Sequence, residues 1–163
     1  PYGSLVQVLR EEEIFLAVSM FHPYALTHLS GTPITAEEVK ANFANDSLLL
    51  SKKGSSLRMI GDQFFDSCGF EPVAVCETNN IAATRSMVAQ NAGVAFISES
   101  CSINRNHIAY YPLSPAMKRL NLVVRQKDWV LNEPEQTFMD HILNYFKQNT
   151  EHPYLAEKYS ISF

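Results

Sequence analysis

Between Asp46 and Ser98 the chain alternates strand-sized apolar runs with helix-sized amphipathic segments, and this alternation restricts its possible folds more than any other feature. Asp46–Ser51 with its three leucines, the β-branched run Val73–Glu77 and Val94–Ile97 are short and apolar, as buried strands are. Between the first two, Leu57, Ile60, Phe64 and Cys68 recur at helical spacing, while Ile81, Met87 and Val88 supply the apolar positions of a helix before the third. Strands separated by helices imply βαβ crossovers and a mostly parallel sheet, so the fold class is α/β.

Helix boundaries are legible from their caps. Thr35-Ala36-Glu37-Glu38 fits a capping box, with Thr35 as N-cap and Glu38 reaching back, and predicts a short helix to about Asn42–Asn45. Lys53-Gly54-Ser55-Ser56 supplies a turn and a hydroxyl cap for the next helix, and Gly69 ends it. Asn79 or Asn80 caps the one after. Upstream, Glu13–Ser19 reads as a buried strand entering a turn at Met20-Phe21-His22-Pro23. Downstream, Ile108–Leu113 and Leu120–Arg125 read as strands. Asn132-Glu133-Pro134 then opens a final amphipathic helix whose buried face is Phe138, Ile142, Leu143 and Phe146. The residues after that helix carry no assignment.

Composition removes several function classes. With 46% hydrophobic and 18% charged residues in 163, the chain reads as a soluble globular protein, and no apolar run reaches the roughly 18–20 residues of a membrane helix. The net charge is −4 and the 13 basic residues form no stripe, whereas a nucleic-acid module concentrates positive charge. Any DNA binding by the parent protein therefore belongs to another segment. Cys68, Cys76 and Cys101 form no CxxC pair, and the five histidines lack metal-ligand spacing, so neither a metal nor a cofactor is expected. Unpaired cysteines, with no signal peptide in Pro1–Arg10, lead to the expectation of a reduced, cytoplasmic compartment. No GxSxG motif and no phosphate-binding glycine loop is present, and Glu37-Glu38 and Glu11–Glu13 read as solvated faces; an enzyme is not expected.

Four segments, in order, resemble the regulatory domain of LysR-type transcription regulators. Glu12–Ala25 is similar to the family's strand and turn "L-V-x-S-x-x-H-P-L-A". Gly54–Arg58, followed by Asp62–Phe65 and Gly69–Pro72, is similar to "G-S-x-x-R … F-F … G-F-x-P". Glu77–Ala89 resembles the "E-T-x-x … V-A" segment, and Gly93–Ser100 resembles "G-V-A-L-L-P-E-S". No single motif is specific; the ordered set is. It spans roughly Glu11 to Phe146. Two departures stand out. Asn91 occupies a position where members have Gly, and Asn tolerates the left-handed conformation such a cap needs. Ser98 replaces the usual Pro.

The resemblance implies two Rossmann-like lobes as in periplasmic-binding-protein-like folds, with a small-molecule effector in the cleft between them. It implies a homo-oligomer, with DNA reached only through a winged helix-turn-helix that precedes the sensing domain. On this reading residues 21–98 form the complete second lobe. Residues 1–20 and 99–163 belong to a first lobe that is incomplete, with N-terminal truncation of the sensing domain. Candidate effector contacts are the residues that open two helices, Ser55, Ser56, Thr78, Asn79 and Asn80, together with Ser19 at a strand end. Helix N-termini attract anions, so an anionic or polar metabolite is expected. Plain capping explains the same residues, and one side chain can do both. Arg58, on a first helical turn, fits a structural salt bridge at least as well as an effector contact. Peroxide-sensing members place their reactive thiol near Ser56, which cannot do that chemistry, and Cys68 completes an apolar helix face. The rival readings are an extracytoplasmic solute-binding protein of similar two-lobed fold, and a related enzyme or orphan binding module.

Overall fold

In the computed structural model, which describes residues 4–148, thirteen elements follow one another. Strand β1 (Ser4–Ser19) is followed by helix α1 (Pro23–Thr27), β2 (Ile34–Thr35), α2 (Ala36–Phe43), β3 (Leu48–Leu50), α3 (Ser56–Cys68) and β4 (Ala74–Glu77). The chain continues through α4 (Ile81–Ala89), β5 (Val94–Ser98), a 3₁₀ turn (Glu99–Cys101), β6 (Ile108–Ser114), β7 (Lys118–Gln126) and α5 (Glu133–Gln148). Strand β1 is longer than its apolar run predicts, because residues before Glu12 continue the extended path while exposing Leu5, Val6 and Val8.

The chain divides into two compact units. One is Glu12–Arg119; the other takes the segments on either side, described here for 4–11 and 120–148. This division differs from the expected 21–98 block, and sheet pairing gives the reason. Strand β1 pairs with β5 through Ile14 and Ser98, and with β6 through Phe15 and Pro112, so 12–19 and 108–114 stay with the central block.

Within Glu12–Arg119 the strand order is β2-β6-β1-β5-β3-β4. The pairs β3·β4, β3·β5 and β2·β6 are parallel, while β1 is antiparallel to both its neighbours. The sheet is thus parallel except for β1, which no βαβ crossover links to β5. Strand β1 is buried on both faces. Ile14, Leu16 and Val18 pack with Leu48, Val94, Phe96, Tyr111 and the helices α2 and α3. Phe15 and Ala17 face the other way, with Leu49, Ala95, Ile97, Tyr110 and Val88 of α4. Burial on two faces explains an apolar run without alternation.

The caps are placed as the residues predict. Thr35 forms both halves of its capping box, Ser55 caps α3, and Asn80, one of the two candidates, caps α4. Gly69 is left-handed at φ 68° and donates to the carbonyls of Phe65 and Asp66. Asn91 is left-handed too, at φ 58°. Gly93 has a steric reason: a β-carbon there would stand 2.6 Å from the Ser47 carbonyl oxygen.

In the other unit β7 pairs with β1 and leads to α5. The expected buried face of α5 is a correction. No residue of the helix is buried: Phe138 is 64% exposed, and Ile142, Leu143 and Phe146 are half-covered. Helical periodicity specifies which face is apolar, but burial needs a covering layer. The residues after Gln148, unassigned from sequence, lie outside the described set.

Candidate functional site

Parallel strands β3 and β4 both end where a helix begins, so two helix N-termini arrive at the same end of the sheet. The loop after β3 passes Ser51 and reaches Ser55, whose hydroxyl accepts the Arg58 N–H at 3.2 Å and leaves Ser56 as the first helical residue. The loop after β4 is fixed from its start, because the Thr78 N–H donates to the Leu50 carbonyl at 2.9 Å. Thr78 Oγ1 accepts the Asn80 N–H at 3.0 Å, and Asn80 in turn accepts the Ala83 N–H at 3.1 Å. The two loops are tied together: Asn79 Oδ1 accepts the Lys52 N–H at 2.9 Å. Such cross-linked loops hold both helix ends in place before any ligand arrives.

Between them lies a cavity of about 280 Å³. Ser51, Ser55, Ser56, Thr78, Asn79, Thr84 and Ser98 line its polar side, while Leu49, Leu57, Ile81 and Phe96 form the apolar wall. That volume falls just below the roughly 300–1,000 Å³ of small-molecule sites, and suits a small ligand. A larger recess of about 640 Å³ lies beside α3 and β4, and its arginine is already engaged. Arg58 there holds Asp62 at 2.7 Å, Glu77 at 2.9 Å and the Ser51 carbonyl at 3.1 Å, the structural role its position suggested.

Of the residues singled out from sequence, Ser55, Ser56, Thr78 and Asn79 line the cavity. Asn80 is outside it, serving as the α4 cap. Ser19 is also outside: it is fully buried, and its hydroxyl accepts the Phe21 N–H at the turn after β1. The structure adds lining residues that the local reading missed, chiefly Arg119, Ser98 and the half-buried Cys101. Arg119 Nε donates to Glu12 Oε1 at 2.7 Å and its Nη2 to Ser98 Oγ at 3.0 Å. Glu12 is completely buried, and its second oxygen accepts both the N–H and the hydroxyl of Ser100. Burial pushes the Glu12 carboxyl upward; the Ser100 and Arg119 contacts outweigh it and hold the acid below its ordinary range. Cys68 is buried on α3, away from the cavity, and burial raises its thiol. Ser98 could have been suspected, since it is where the chain departs from the regulators' usual Pro. Arg119 carried no such signal.

The description "LysR substrate binding domain" matches residues 3–147 of this chain. The chain belongs to the LysR substrate-binding domain family. The HTH-type transcriptional regulator YybE of Bacillus subtilis, itself uncharacterized, is 26% identical over 141 residues, covering 86% of this chain. The chain spans 46% of that relative's length. Among solved structures, the regulatory domain of Synechocystis CcmR in complex with 2-PG superposes with a TM-score of 0.72 at 19% identity. That match covers 91% of this chain and 71% of the other. The effector-binding domain of QuiR in complex with shikimate gives 0.68 at 18% identity, covering 90% and 67%. This LysR substrate-binding domain thus has the α/β, periplasmic-binding-protein-like fold of regulatory domains.

Proposed function

We propose that this chain is the effector-sensing part of a LysR-type transcription regulator. It takes a small anionic or polar metabolite into the cavity lined by Ser55, Ser56, Thr78, Asn79 and Arg119, and occupancy modulates DNA binding and transcription by the full-length protein. The observation that carries this reading is the convergence of two helix N-termini and one guanidinium on a single cavity in a LysR substrate-binding domain. Helix N-termini present unpaired N–H groups and the positive end of the dipole, and they receive carboxylates and phosphates without a dedicated cation. The ligands 2-PG and shikimate, bound by CcmR and QuiR respectively, support a small oxygen-rich acid. The reading includes a cytoplasmic homo-oligomer that contacts DNA through another segment. It assigns binding rather than turnover to the chain.

Binding alone does not control transcription. The ligand must favour one of two states, and the response is bounded by its differential affinity for them. The test replaces Ser56 and Thr78 by Ala in the full-length regulator and measures both thermal stability and the effector-dependent promoter response. Loss of response per folded molecule supports the reading; lower stability with an unchanged response reduces both residues to local structure.

A further inference from the structure

We propose that Arg119 is the residue through which this cavity selects a carboxylate, and that the bound carboxylate competes with Glu12 for it. The inference rests on the cavity being the effector site. Of the side chains lining the cavity, Arg119 alone is charged. Its guanidinium is only partly committed: Nε goes to Glu12 and Nη2 to Ser98, and neither contact uses Nη1. A carboxylate and a guanidinium bond best through two parallel N–H···O bonds. Glu12 cannot offer that geometry, because Oε1 alone meets Arg119 while Oε2 is held by the Ser100 N–H and hydroxyl. The pair is therefore exchangeable. A ligand carboxylate can take two nitrogens of the fork, and Glu12 keeps its bonds to Ser100.

Ser98 supports the arrangement. Its buried hydroxyl accepts from Arg119 Nη2 and holds the guanidinium against the cavity. The chain also leaves the Glu12–Arg119 unit at these two residues, between Glu11 and Glu12 and between Arg119 and Leu120.

The test uses the ¹⁵N-labelled chain, titrated with shikimate, glycolate and lactate, each beside its uncharged amide, while the Arg119 Nε–H and the Ser56 and Thr78 backbone amides are followed by NMR. The acids are expected to move all three signals, and the neutral analogues to leave Arg119 in place. Arg119→Gln should weaken the acids about tenfold and leave the neutral analogues unchanged, while Glu12→Gln, which removes the competing charge, should tighten the acids about tenfold. If the Ser56 and Thr78 signals titrate with equal affinity in Arg119→Gln and wild type, the proposal is overturned and the cavity reading stands. If Arg119→Gln does not fold, a wild-type Nε–H that stays still while those amides titrate overturns it equally. If no acid moves any of the three signals up to about 50 mM, the proposal is overturned; the cavity reading falls with it only if the neutral analogues also leave Ser56 and Thr78 still.

Discussion

Gly61 of α3 and Phe96 of β5 are in such close contact that a β-carbon on the glycine would stand 2.9 Å from the ring. Phe96 is buried between Phe64 and Phe65, with ring centroids at 5.6 and 5.0 Å, and it also lines the cavity. Gly61→Ala in mid-helix would ordinarily gain about 1 kcal/mol of helix propensity. Here the ring can move only by turning against Phe64 and Phe65, and overpacking costs of about 1–3 kcal/mol should prevail. Urea unfolding should show a lower midpoint with an unchanged slope, a net loss of about 1 kcal/mol. A rise in the midpoint would mean that α3 shifts on the sheet without resistance.

Glu12 sets an acid limit on stability. Its carboxyl is held below the ordinary value of 4.5, so the contribution is fully present above that pH. It is lost as the pH falls below 4.5 through the folded value, where protonation removes the attraction to Arg119. Glu12→Gln should cost about 1 kcal/mol at neutral pH, since it removes the attraction to an Arg119 whose guanidinium still reaches solvent. It should also flatten the acid limb of a stability-against-pH curve, measured by denaturant unfolding between pH 6 and 3 (about the range of a perturbed carboxylate).

Tyr110 and Tyr111 set the alkaline limit. Burial pushes each phenol from 10.0 to about 12. Both phenols donate to carbonyls, Tyr110 to Ile103 and Tyr111 to His28 at 2.9 Å. The neutral form is the folded one, so stability is unaffected below pH 10 and falls as the pH rises from 10 to 12. The loss is about 2–3 kcal/mol for each residue. Tyr111→Phe should remove part of that alkaline drop, and should cost about 1 kcal/mol at pH 7 by leaving the His28 carbonyl without its donor.

Asn91 tests the left-handed turn after α4. At φ 58° it stands where the resembling regulators carry Gly. Asn91→Gly should change stability by less than about 0.5 kcal/mol, whereas Asn91→Ala should lose about 1 kcal/mol, because alanine lacks the side-chain amide that eases this conformation. Equal melting temperatures for all three proteins would show that the turn rearranges.

What was legible in the sequence was local. The Thr35–Glu38 box, the Ser55 cap and the Gly69 stop each depend on neighbours within a turn, and the structure places all three. The same reading brought Ser55, Ser56, Thr78 and Asn79 to one cavity, since strands that run parallel must deliver their following helices to one end. Three features were not legible. Arg119 and Glu12 are 107 positions apart, and no local pattern ties a partly exposed arginine to a glutamate in the middle of β1. The reversed direction of β1 is invisible in a run apolar on both faces. Phe138 belongs to an apolar face by periodicity, yet periodicity is silent on what covers it.

The central claim is that the cavity between the α3 and α4 N-termini is where the effector binds. A crystal structure of the chain grown with glycolate, a small carboxylate probe, at about 50 mM measures this most directly. The account predicts density for its carboxylate within hydrogen-bond distance of the Ser56 backbone amide or the Thr78 hydroxyl, and of Arg119. Density at another place on Glu12–Arg119, with this cavity occupied only by solvent, would contradict it.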